Sequence, residues 1–209
     1  MMMSFKFNSL IILFIMVQAK MINCKFIFEK PIVDCLIHNQ KYSYEYLYAS
    51  NDIFTDVFRN LSPFHNVYTV HIGSVDDFSK LKWTIERVGE LNDTKVTIKS
   101  NKGEYLCASH FSHDIFRQRR RIYLKNIINN KILFNKMTSN CEWRIEKVRD
   151  SEKFMIWNEW FMEPIYSPTF IYKRDLIHRN VYLWKNKPSS VGSEFKWSID
   201  CGRGSFLLE

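Results

Sequence analysis

Apolar and polar residues alternate one for one in a series of short segments along this chain. Val96-Thr97-Ile98-Lys99 alternates, as do Trp83-Thr84-Ile85-Glu86 and Trp143-Arg144-Ile145-Glu146. A period of two puts successive side chains on opposite faces of an extended backbone. These segments therefore read as half-buried strands, and their content of Val, Ile, Tyr, Phe and Trp agrees. Turn signals separate them: Asn101-Lys102-Gly103, Ser62-Pro63, Lys187-Pro188-Ser189-Ser190 and Val191-Gly192-Ser193. Beyond residue 19 no helix-length stretch keeps a clean 3.6 period. Residues 126–140, rich in Asn and set between two strand segments, read as a long loop.

The alternation is organised by a pattern that occurs three times. Glu45-Tyr46-Leu47-Tyr48-Ala49-Ser50 returns as Glu104-Tyr105-Leu106-Cys107-Ala108-Ser109 and, weakened, as Glu163-Pro164-Ile165-Tyr166-Ser167, each time 59 positions on. A second landmark follows each copy: Val67-Tyr68-Thr69-Val70, Ile122-Tyr123-Leu124-Lys125 and Val181-Tyr182-Leu183-Trp184. A third closes it: Trp83-Thr84-Ile85, Trp143-Arg144-Ile145 and Trp197-Ser198-Ile199. In the middle copy four strands are predicted, at about 95–100, 104–109, 119–125 and 142–148. One such unit cannot bury its apolar face alone, whereas three closed around an axis bury their faces together and remove exposed sheet edges. The expected fold is all-β: a β-trefoil of three four-stranded repeats, about twelve strands with pseudo-threefold symmetry. It would occupy 31–209 as a single domain, with repeats at about 31–88, 89–148 and 149–203. Each fourth-strand tryptophan is expected in the shared core. Three blades are too few for a propeller, and an immunoglobulin-like sandwich does not account for a threefold pattern.

Residues 1–19 read as a signal peptide. Lys6 supplies the positive start, Leu10 to Val17 an unbroken apolar run, and Val17-Gln18-Ala19 a small-residue cleavage signal. A spanning helix needs roughly 20 apolar residues, and Gln18, Lys20 and Asn23 end the run first. Residues 20–30 form an N-terminal segment, and the chain is expected to be secreted. Its net charge of +8 favours anionic partners, or reflects solubility alone. All five cysteines, 24, 35, 107, 141 and 201, lie beyond the cleavage site, where an oxidising compartment favours pairing and leaves one over. Asn60-Leu61-Ser62 and Asn92-Asp93-Thr94 are glycosylation sequons, and Pro63 after the first favours Asn92.

The order of a strand, Glu-Tyr-Leu-Tyr-Ala-Ser, an aromatic strand and Trp-x-Ile resembles the β-trefoil superfamily over about residues 31–203. It looks like secreted insect β-trefoil proteins and is similar, more distantly, to the trefoil domain of moth 30 kDa haemolymph lipoproteins. Ricin-type lectins share that fold and carry Gln-x-Trp. Here Leu81, Cys141 and Phe195 stand two before the tryptophans, so a ricin-like galactose site is not expected. Kunitz-type inhibitors carry a basic or apolar reactive residue after the fourth strand. Gly89-Glu90-Leu91-Asn92-Asp93-Thr94 is acidic there and contains a sequon, which disfavours that role. In a trefoil the first and last barrel strands are neighbours, so the resemblance implies a bridge between Cys35 and Cys201. Cys107 and Cys141 would be the next pair, with Cys24 left for an interchain bond, although sequence alone does not fix connectivity.

No G-x-S-x-G, H-E-x-x-H, P-loop or glycine-rich dinucleotide turn occurs, so neither an enzyme nor a cofactor is expected. His110-Phe111-Ser112-His113 offers two imidazoles in what reads as a hairpin loop, without a third metal ligand. The sharpest charged feature is Arg117-Gln118-Arg119-Arg120-Arg121, continuing to Lys125. Arg119 and Arg121 share one strand face, and Arg binds sulfate and phosphate with two prongs. His110, His113, Lys173, Arg174 and Arg179 lie in matching parts of neighbouring copies. An anion site and a solvated hairpin paired to carboxylates both remain open. Trp157, Trp160, Phe161, Tyr166, Phe170 and Tyr172 crowd the third copy. Trp160, Phe161, Phe170 and Tyr172 are the candidates for a protein-interaction surface, with Trp157 and Tyr166 readable as core.

Together these features point to a secreted, non-catalytic binding protein that recognises an extracellular protein or a sulfated glycan, of the salivary or venom effector kind by analogy. A neutral-carbohydrate lectin and a haemolymph storage or lipid carrier are the alternatives. Intracellular nucleic acid is not expected as a partner.

Overall fold

The computed structural model describes residues 30–54, 64–89, 93–112, 118–127, 139–169, 177–185 and 192–202. Residues 1–19, expected to be a signal peptide, and Cys24, Asn60, Asn92, His113, Arg117, Phe170, Tyr172, Lys173 and Arg174 lie outside them. The strands are β1 (Ile32–Asn39), β2 (Glu45–Phe54), β3 (Phe64–His71), β4 (Lys82–Arg87), β5 (Lys95–Ser100), β6 (Tyr105–Ser112) and β7 (Arg119–Lys125). They continue as β8 (Trp143–Lys147), β9 (Phe154–Asn158), β10 (Glu163–Tyr166), β11 (His178–Asn180), β12 (Tyr182–Trp184) and β13 (Trp197–Asp200). Short 3₁₀ turns at Phe78–Leu81, Ser139–Cys141 and Ser193–Phe195 precede β4, β8 and β13. Among the described residues no helix is long and apolar enough to cross a membrane.

The alternation in sequence becomes alternation in burial. Along β7, Arg120, Ile122 and Leu124 point in, and Arg119, Arg121, Tyr123 and Lys125 lie half-buried on the other face. Along β4, Trp83 and Ile85 point in. β9 is buried throughout because both of its faces are covered. Phe154 and Ile156 join the main core with Leu47, Leu106, Ile165 and the three landmark tryptophans. Met155 and Trp157 pack on its other side with Phe195, Tyr166, Trp184 and Val148. Asn158, at the end of β9, is fully buried too and spends its side chain on backbone partners.

The expected β-trefoil of twelve strands in three four-stranded repeats is overturned on count and closure. Among the described residues there are thirteen strands, and the antiparallel pairings close a ring of ten: β1, β4, β5, β8, β9, β10, β12, β7, β3 and β2. The other three stand beside it. β6 bridges β5 and β7, β13 bridges β9 and β1, and β11 adds to β3. The physical cause lies in the third copy. Where β3 and β7 run on unbroken, its third strand is interrupted at Val181. Before the break His178 to Asn180 pair with Val70 to Tyr68; after it Tyr182 to Trp184 pair with Arg121 to Arg119. The chain thus steps from the edge of one strand to that of another.

The threefold pattern survives in one set of contacts. The indole N–H of Trp83 donates to the Leu47 carbonyl at 3.0 Å, that of Trp143 to Leu106 at 2.8 Å, and that of Trp197 to Ile165 at 3.2 Å. All three rings are shut from solvent, so each donor needs a partner inside the protein. Cys35 is bonded to Cys201 and Cys107 to Cys141.

Candidate functional site

The glutamate that opens each landmark reaches a base on the third strand of the preceding copy. Glu163 takes the Arg120 guanidinium on two prongs, Nε to Oε2 at 2.8 Å and Nη2 to Oε1 at 3.0 Å. Glu45 takes Arg179 in the same way, both bonds at 2.7 Å. Glu104 meets Nδ1 of His65 at 2.6 Å. The three bases stand at one offset, two residues before Val67, Ile122 and Val181. Third copy to first, first to second and second to third, the joints form a cycle.

The two arginine joints are built alike. The remaining Arg120 nitrogen, Nη1, donates to the Ser109 carbonyl at 2.7 Å, and Nη1 of Arg179 to those of Pro168 and Thr169 at 3.1 and 2.8 Å. Phe161 lies under the Arg120 guanidinium at 3.5 Å and Tyr42 under that of Arg179 at 3.6 Å, close enough for cation–π attraction. Burial pulls the Arg179 pKa down, but the hydrogen bonds and charge of Glu45 outweigh it and leave it raised. Charged groups this sheltered persist because each prong has a partner.

The Arg120 joint frames an apolar turn. Between β9 and β10 the Phe161 N–H donates to the Asn158 side chain at 3.2 Å and the Met162 N–H to the Asn158 carbonyl at 2.8 Å. Asn158 is itself held, its amide donating to the carbonyls of Asn140 and Glu142. Phe161 turns inward and also meets the ring of His110 edge-on at 5.5 Å. Its neighbours turn outward: Trp160 is 58% exposed and Met162 55%, and Phe111, which follows His110 on β6, is 48% exposed. Met162 has φ of 53°, left-handed backbone that a side chain other than glycine adopts at a cost. The residue before Glu104 has φ of 76° and is Gly103.

Of the candidate arginines, Arg120 is therefore bound within the protein, while Arg119, Arg121 and Lys125 share the outward face of β7. Arg119 sits over the Tyr182 ring at 5.5 Å. Arg179 is likewise engaged at its joint rather than on a surface patch. Of the candidate aromatics, Trp160 is displayed and Phe161 is not. Trp157 and Tyr166 belong to the cluster around Phe195. Sequence reading overlooked Met162, His65 and the pairing of the landmark glutamates with His65, Arg120 and Arg179. A signal for the latter existed, since Arg120 has the same parity as Ile122 and Leu124. Among the described residues no three His, Cys, Asp or Glu side chains gather to hold a metal.

No family model matches the chain, and no curated protein matches it. Among solved structures it is similar to a salivary protein from Culex that belongs to the Cysteine and Tryptophan-Rich family: 19% identity, 83% of this chain and 96% of that one, TM-score 0.53. It is similar to the designed 3-fold symmetric protein ThreeFoil, at 12% identity over 79% and 96% of the two chains, TM-score 0.53. A Polyporus squamosus lectin bound to a human-type influenza-binding epitope is similar at 18% identity, over 80% of this chain and 48% of the lectin, TM-score 0.51. At such identities the likeness carries the fold alone. The chain has a trefoil-like fold, with the strand count and closure given above.

Proposed function

We propose that this chain is a non-catalytic binding protein of the extracellular space, and that it recognises a protein partner through Trp160, Met162 and Phe111. Two disulfides support an oxidising compartment, and the likeness to a salivary protein supports a secreted role. The observation that carries the reading is the turn itself. A tryptophan and a methionine are held out to solvent on a backbone pinned by buried Asn158, at a position where the turn before Glu104 uses glycine. Rigid, exposed aromatic residues are the usual anchors of protein interfaces.

The test is binding of fluorescently labelled residues 20–209 to a panel of intact insect and vertebrate cells, and to heparin-agarose under a salt gradient. Saturable cell binding is expected that trypsin treatment of the cells abolishes and that Trp160→Ser weakens by about tenfold or more. Binding removed by heparinase and by changing Arg119 and Arg121 to Ala makes the ligand a sulfated glycan instead. Retention on uncharged glycans makes it a lectin, and no saturable binding on any surface overturns the proposal.

A further inference from the structure

Two of the three joints use arginine and the third uses His65. A guanidinium stays charged throughout the accessible pH range, whereas the charge of an imidazole changes near neutrality. We propose that the His65–Glu104 contact is a pH-operated latch between the first and second copies of the pattern, fastened in acid and slackened as the pH rises.

The geometry suits that role. Nδ1 of His65 faces Oε1 of Glu104 at 2.6 Å, with the two side chains 29% and 11% exposed. The neutral ring donates one hydrogen bond to the carboxylate, and the protonated ring adds a charge pair to it. The turn before Glu104 is Asn101-Lys102-Gly103 and offers no ring in place of Phe161 or Tyr42. Its side chains point elsewhere, Asn101 to the Ser79 hydroxyl at 2.9 Å and Lys102 to the Asn51 side chain at 2.6 Å. Among the described residues β3 meets β7 at this joint through the pairs His65 with Leu124 and Asn66 with Tyr123.

The other ionisable groups near His65 come from three sides. β2 carries Asp52, next to the register partner Ile53. β7 carries Lys125 next to the partner Leu124, and the phenol of Tyr123. The segment leading into β6 carries Lys102, Glu104 and the phenol of Tyr105. Besides Glu104 the charged groups among these are two lysines and one carboxylate, and among the described residues it is Glu104 that bonds the ring.

The experiment compares urea unfolding midpoints of the wild type, His65→Arg and His65→Gln at pH 5 and pH 8. Glutamine can donate to Glu104 but cannot charge, so His65→Gln should match the wild type at pH 8 and fall below it at pH 5. Arginine is always charged, so His65→Arg should stand at or above the wild type at pH 8 and level with it at pH 5. Other titrating groups are common to the three proteins and cancel in these differences. Amide exchange, corrected for intrinsic rates, should show protection at β3 and the start of β6 rising about fivefold from pH 8 to pH 5 in the wild type, and no such joint-specific rise in His65→Gln. Offsets between variants that are the same at both pH values overturn the latch. If His65→Arg fails to fold, His65→Gln still decides.

Discussion

The indole of Trp143 donates its N–H to the carbonyl oxygen of Leu106 across 2.8 Å, and neither residue reaches solvent. The bond ties the fourth strand of the middle copy to its second. Trp143→Phe keeps most of the ring but leaves that carbonyl without its donor, which costs about 1–3 kcal/mol. Trp143→Ala adds a cavity and should cost about 3–5 kcal/mol. Urea denaturation resolves both, and a Phe variant as stable as the wild type would show the bond to be dispensable.

Arg120 and Glu163 form a pair whose side chains are 7% and 6% exposed. Removing one member leaves an uncompensated buried charge, so Arg120→Met should lose about 3–5 kcal/mol. Removing both should recover much of it, and the double variant Arg120→Met/Glu163→Leu is expected to be more stable than either single change. Additive losses in that cycle would count against a coupled pair.

Met162 holds left-handed backbone while its side chain stands in solvent. Met162→Gly should relieve the strain without loss of packing and raise stability by up to about 1 kcal/mol. Trp160→Ser should leave stability within about 0.5 kcal/mol. Thermal melts check both, and a large loss in either would mean that the exposed turn is structural.

His38 gives the fold an acid sensitivity of its own. Its pKa lies below the ordinary 6.5, chiefly through burial, helped by the Lys153 charge and opposed by Asp200. Its Nδ1 is buried without a hydrogen-bond partner among the described residues, so the folded state prefers the neutral ring. Folding is therefore favoured above the unfolded-state value, and that contribution is lost as the pH falls from about 6.5 toward the folded-state pKa. His38→Asn should flatten the acid limb of a plot of midpoint against pH. An unchanged limb would assign the sensitivity elsewhere.

Much of the strand pattern was legible because it depends on neighbours in sequence. Alternation placed strands at 95–100 and 119–125, where β5 and β7 lie, and the repeated landmarks put three tryptophans in one core. The β-trefoil expectation went wrong where local pattern stops deciding. The break at Val181 depends on which edges, those of β3 and β7, the chain can reach. The candidate site was half legible. An exposed Trp160 could be suspected from an aromatic insertion, but Phe161 beside it turned inward because a guanidinium needed a face to lie on. Arg120 looked like part of a cationic surface because its partner is 43 residues away in sequence. Its parity with Ile122 and Leu124 pointed the other way.

The bond between Cys35 and Cys201 spans 166 residues of sequence. It makes nearly the whole fold one covalent loop. A protease that nicks any connection within that loop releases no fragment, so the cut molecule migrates as one species until it is reduced. A single nick there need not separate the face bearing Trp160 from the rest of the chain.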